Sequence, residues 1–74
     1  MLVKFDIYYD SKFWCARGMG VDIFTQGTTL DELMNNIKEA VELHFEENID
    51  AGDQITVVSL TELQVGPIAK ISGC

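Results

Sequence analysis

The side chains able to do chemistry are few, and their spacing removes most of the options. The one histidine, His44, has no serine, cysteine or second histidine placed to work with it. It is read as a half-buried residue hydrogen-bonded near a helix end. Cys15 and Cys74 are the only cysteines, with neither a C-x-x-C spacing nor a histidine partner, so they build no zinc site or redox motif. Both are expected as reduced thiols. Gly18 and Gly20 raise the question of a phosphate loop, but no Lys-Ser or Lys-Thr follows and no helix begins there. A bulge is the expectation.

What remains is charge and aromatic surface. Twelve Asp and Glu stand against five Lys and Arg, a net charge of −7 that disfavours contact with a phosphate backbone. The acids gather at Asp31, Glu32, Glu39, Glu42, Glu46 and Glu47. Such a face is ordinarily a solvated surface; its functional version steers a basic protein towards the chain, which speeds association more than it adds affinity. Asp31, Glu39, Glu42 and Glu46 are the candidate partner-binding acids, with Trp14 as a candidate anchor. Phe13, Tyr8 and Phe24 are further aromatics of the kind interfaces use when left on an open sheet face, and equally of the kind that fill cores.

These residues must be positioned by one small domain. From Thr25 to Glu47 the chain reads as an amphipathic helix, with Leu30, Leu33, Met34, Ile37, Ala40, Val41, His44 and Phe45 on one stripe and the acids opposite. Thr29 and Glu32 form a capping box, each serving the other's amide, and Gly27 lets the chain leave a strand sharply. Before it, strands are expected at Leu2–Tyr9, Phe13–Arg17 and Val21–Thr25. In the third, Val21, Ile23 and Thr25 share one face, and Asp22, Phe24 and Gln26 the other. After it, Asn48–Asp53 is a loop and Gln54–Val65 a strand whose β-branched run suggests burial on both faces. Residues 68–74 are either a short last strand or a tail. The order β-β-β-α-β gives an α+β fold in which one helix packs on a four-stranded mixed sheet, the last strand returning parallel to the first and beside it. The other sheet face is then wet or paired with a second copy, and a dimer or larger homo-oligomer is expected. With no stretch near 18 apolar residues and no signal-peptide layout in MLVKFDIYYD, a cytoplasmic, soluble protein is expected.

The stretch Thr25-Gln26-Gly27-Thr28-Thr29-Leu30-Asp31-Glu32, running into Asn36-Ile37-Lys38-Glu39-Ala40-Val41-Glu42-Leu43, resembles the HicB antitoxin family and its stand-alone HicB-like domains. The resemblance covers about residues 3 to 47. It implies a partial RNase H-like fold that binds and neutralises a small basic mRNA-cleaving toxin of the HicA type. Family members commonly carry a segment like V-P-E-L-P-G between strands two and three; Arg17–Asp22 holds that place without prolines. Many also add a DNA-binding domain, for which residues 63 to 74 are too few, so direct operator binding is not expected. An RNase H-like fold raises two-metal chemistry, with Asp6 and Glu39 or Glu42 as conceivable members. Strand four offers polar groups such as Gln54, Ser59, Thr61 and Glu62 but no Asp in its first half, where a second bridging carboxylate would be expected, and catalysis, metal and cofactor are not expected. The alternative to an antitoxin is an orphan HicB-like adaptor or scaffold that oligomerises without a toxin.

Overall fold

The computed structural model describes residues 1–62, 65 and 66. Strict alternation makes β1 (Leu2–Tyr9), with the expected bounds: Val3, Phe5 and Ile7 are buried on one side, and Lys4, Asp6 and Tyr8 face the other. Asp10 then builds the turn. Its Oδ1 accepts from the amides of Phe13 at 2.7 Å and Lys12 at 3.1 Å, while its own amide donates to the Phe13 carbonyl at 3.0 Å. The Phe13 bond first, then that of Lys12, holds the Asp10 carboxyl below the ordinary carboxylate range.

β2 (Trp14–Met19) pairs antiparallel with β1, Tyr9 opposite Trp14 and Lys4 opposite Met19. It starts one residue later than Phe13–Arg17 and runs two further, because Gly18 and Met19 still pair with Phe5 and Lys4. The chain turns only afterwards: Gly20 has φ 85°, and the Gly18 amide donates to the Ile23 carbonyl at 2.8 Å. That bond closes a loop through which Val21 and Ile23 reach the core without pairing as a strand, so β3 is Phe24–Gly27 rather than Val21–Thr25. The two faces are as expected, Ile23 buried and Val21 and Thr25 half-buried, with Asp22, Phe24 and Gln26 exposed.

α1 (Leu30–His44) starts at the expected cap, where Thr29 Oγ1 accepts from the Glu32 amide at 3.1 Å. The return bond differs. With Thr29 extended, the Glu32 carboxylate accepts from the Thr28 amide at 2.7 Å and the Thr28 hydroxyl at 3.3 Å, not from the Thr29 amide. Leu33, Ile37 and Val41 are buried against Val3, Phe5, Ile7, Ala16 and Ile23, while Leu30, Met34 and His44, on the margins of the stripe, are exposed. Each fully buried aliphatic or aromatic side chain of this set contributes about 1.5–3 kcal/mol.

The helix stops short of Glu47. Phe45 leaves helical geometry at φ −110° and ψ 28° and packs against the core, and a second short helix, α2 (Glu46–Asp50), occupies part of the expected loop. A Schellman turn ends α2: Gly52, at φ 95°, donates to the Ile49 carbonyl and Asp53 to that of Asn48. β4 (Thr56–Thr61) then returns parallel to β1, giving the sheet order β3-β2-β1-β4. Three strands, a main helix and a last strand in one four-stranded mixed sheet make this an α+β fold. Among the described residues β4 stands at the edge of the sheet and is not buried on both faces, because α1 lies over the β3–β2 side; Ile55, Val57 and Val58 are only half-buried. The alternatives for 68–74, and Cys74, lie outside the described residues.

Gly27 is buried where β3 meets the first turn of α1, and a Cβ there would stand 2.7 Å from the Leu33 amide nitrogen and 3.1 Å from its Cα. Backbone cannot step aside as a side chain does. Gly27→Ala is expected to cost about 1–3 kcal/mol in a chemical denaturation curve, the scale of overpacking; an unchanged midpoint would show that the two segments part easily. Asp10 supplies a pH test. Its folded pKa lies below its unfolded one, so its charge stabilises the fold fully above the ordinary carboxylate range and loses that effect as pH falls through the lower folded value. Against Asp10→Asn, which keeps an acceptor but no charge, the wild type is expected to be more stable at neutral pH, the margin closing as the solution turns acid. A constant margin would contradict the hydrogen-bonded carboxylate.

Candidate functional site

Helical geometry sets Asp31, Glu39 and Glu42 on one side of α1, Asp31 in the first turn and roughly 16 Å from Glu42 along the axis, and Glu46, the first residue of α2, joins them beyond the break at Phe45. All four are exposed. Glu39, Glu42 and Glu46 surround Leu43, which is 75% exposed and forms with them a shallow depression. Leu43 is the part that sequence reasoning passed over. Its signal was phase, since it is the apolar residue of the helix that falls on the polar side.

Trp14 is not brought to this row. In register it stands between Tyr9 and Gly27, on the helix side of the sheet, half-buried against the core with its ring 5.0 Å from that of Tyr9. Tyr8 and Phe24 do lie on the open sheet face, and Phe13 is half-buried at the turn under Lys12. His44 is exposed rather than half-buried, because the chain breaks directly after it; its ring sits edge-on to Phe45, centroids 4.8 Å apart. Cys15 is buried on the open face of β2, its thiol donating to the Phe13 carbonyl at 3.7 Å, and burial, helped by the nearby Asp10 charge, pushes its pKa up. A thiol so placed is a poor nucleophile.

Asp6 and the helical glutamates occupy opposite sides of the sheet. Asp6 shares its face with Arg17, whose guanidinium is 3.7 Å from its carboxylate, while Glu39 and Glu42 point away from the sheet on α1. Among the described residues no three His, Cys, Asp or Glu side chains gather where a metal ion would fit. A cleft of about 550 Å³ lies elsewhere, between α1, α2 and β4, lined by Met34, Ile37, Val41, Ile49, Ile55 and Val57 together with Lys38, Glu42 and Asp53. It exists because α1 covers the β3–β2 side and leaves β4 uncovered. Among the described residues no helix is long and apolar enough to cross a membrane.

Compared with known proteins, the chain is 53% identical over 34 residues to a "UPF0150 protein" of Archaeoglobus fulgidus. The match covers 46% of this chain and 52% of that protein, so it spans about half the length of the relative it matches. No family model matches, and no solved structure matches.

The acidic row is unfavourable to the helix that bears it. Neighbouring like charges at three- and four-residue spacing repel, and Glu42 lies near the C-terminal end of α1, where the helix dipole disfavours a negative charge. Among the described residues no cation lies within ion-pairing distance of Glu39, Glu42 or Glu46, the one pair being Arg17–Asp6. Glu42→Lys is therefore expected to raise the thermal midpoint, and the gain should shrink as salt is added. A lower midpoint would mean that Glu42 has a stabilising contact of its own.

Proposed function

We propose that this chain is an antitoxin-like, non-enzymatic protein of the HicB type, which binds and neutralises a small basic RNA-cleaving protein through the outward side of α1. The observation that carries this reading is the group Glu39, Glu42 and Glu46 around exposed Leu43, charges set against one another and, at Glu42, against the dipole of α1, without an ion-pairing partner among the described residues. Local arrangements that cost stability are expected where a surface serves a partner. The motif running from Thr25 to Leu43 and the net charge of −7 support it further. A row of acids around one apolar contact attracts a basic protein at long range and offers a short-range seat for an aliphatic or aromatic side chain.

A second reading is favoured by a different observation, the apolar side chains on the sheet face away from α1. On it the chain is a homo-oligomeric adaptor that has no toxin partner. The two readings separate on one experiment, the binding kinetics of the full chain with the small basic protein encoded by the adjacent reading frame. On the first reading, reversing Glu39, Glu42 and Glu46 to Lys slows association at low salt by about tenfold or more and removes its salt dependence, with a smaller effect on dissociation. Equal association rates for wild type and variant, or an adjacent frame that encodes no such protein, would reject the acidic row as the docking surface and leave the adaptor.

A further inference from the structure

α1 fills only part of its own layer. It lies over β3 and β2, and a helix about 10 Å wide covers roughly half of four strands that are about 19 Å across. Beside it, on the same side of the sheet, is the cleft of about 550 Å³, lined from the sheet by Val57 and Ser59, which stand next to Val3 and Phe5, and from α2 by Ile49. We propose that this cleft seats about two turns of a basic amphipathic helix from a partner protein. The inference takes its basic partner from the capture proposed above, on which it rests, and names the part of that partner that is held.

Shape selects a helix. On α1 the lining residues are Met34, Ile37, Lys38, Val41 and Glu42, one helical side that runs roughly 10 Å from Met34 to Val41. That is the contact length of two turns. A helix laid there, about 8–10 Å from α1, presents side chains at i, i+3 or i+4, and i+7 to an apolar wall of matching length. An extended segment fits less well. It would find its hydrogen bonds along the outer edge of β4, in the plane of the sheet, whereas above that plane its amides and carbonyls would go unpaired. A helix brings its backbone hydrogen bonds with it.

Charge selects a basic one. Lys38 is outnumbered in the cleft by Glu42 and Asp53, and α2 adds Glu46, Glu47 and Asp50 without a cation. Neither Glu42 nor Asp53 has an ion-pairing partner among the described residues. Glu42 also belongs to the depression around Leu43, so the acids that attract a basic protein and the apolar seat that can hold it are continuous across α1. The two parts have separate effects. The acids act before contact and set the association rate; burial of Met34 and Ile49, each 40% exposed, acts after contact and sets the dissociation rate.

The test uses two synthetic peptides of about 18 residues built from the same leucines and lysines, one ordered to form an apolar stripe when helical and one scrambled so that no stripe forms. With the full chain, the striped peptide is expected to bind at least about tenfold more tightly and to shift the methyl NMR signals of Met34, Ile49, Ile55 and Val57. Because Met34 and Ile49 are partly exposed, Met34→Gln and Ile49→Gln trim the seat without opening the core. Each is expected to speed dissociation of the striped peptide about fivefold or more, with association and circular dichroism unchanged. Equal binding of the two peptides, or shifts confined to Leu43, would overturn the cleft as the seat and leave capture by the acids standing. Glu39 and Glu46 do not line the cleft, so their reversal to Lys separates the two ideas: unchanged association with the cleft methyls still shifting would reject the steering acids and support the seat. Shifts of the same methyls on dilution of the free chain would give the cleft to a second copy, and contacts to them from Ile68 or Ile71 would give it to this chain's own residues. Either result overturns the proposal.

Discussion

The approach of β3 to the first turn of α1 decides where everything else lies. Gly27 has no side chain, so the backbone of Leu33 comes close, and two bonds secure the junction: the Thr29 cap and the Asn36 side-chain amide, which donates to the Gln26 carbonyl at 2.7 Å. With its start pinned to the edge strand, α1 has to lie over the β3–β2 side. The cleft beside β4 follows from that placement. So does the direction of the acids on α1, because once Leu33, Ile37 and Val41 face the sheet, Glu39 and Glu42 have to face solvent.

Much of this was legible in the order of residue types. β1 carries its bounds in strict alternation, the helix its start in Thr29 and Glu32, and the placing of β4 beside β1 follows from a hairpin pair and a helical crossover. The departures share a cause. Val21 and Ile23 alternate as a strand does, yet the hydrogen bond that settles the matter runs from Gly18 to Ile23 and closes a loop; side-chain pattern carries no record of backbone pairing. Phe45 likewise fits the apolar stripe, and its return to the core ends the helix instead of extending it.

The surfaces were read unevenly for a similar reason. Periodicity places the acids because a helix repeats, whereas the facing of Trp14 depends on which residue of β1 it meets, and register puts it across from Tyr9 on the helix side. Single apolar residues such as Leu2, Met19 and Leu60 look unremarkable along the chain. Only the pairing of four strands shows that they share the face turned away from α1, with Lys4, Asp6 and Arg17 set among them.

β1 lies inside the sheet although it comes first in the chain, and its two neighbours are made at very different times. β2 follows after a tight turn, but Leu2 waits for Thr56, and Ile7 for Thr61. During synthesis the hairpin and α1 can form while one whole edge of β1 still shows its amides and carbonyls unpaired, beside apolar side chains on both faces. Pairing with β4 has the largest loop to close and comes last. The newborn chain is thus most vulnerable to joining the wrong strand, including β4 of another copy, in the interval between making its helix and completing its sheet.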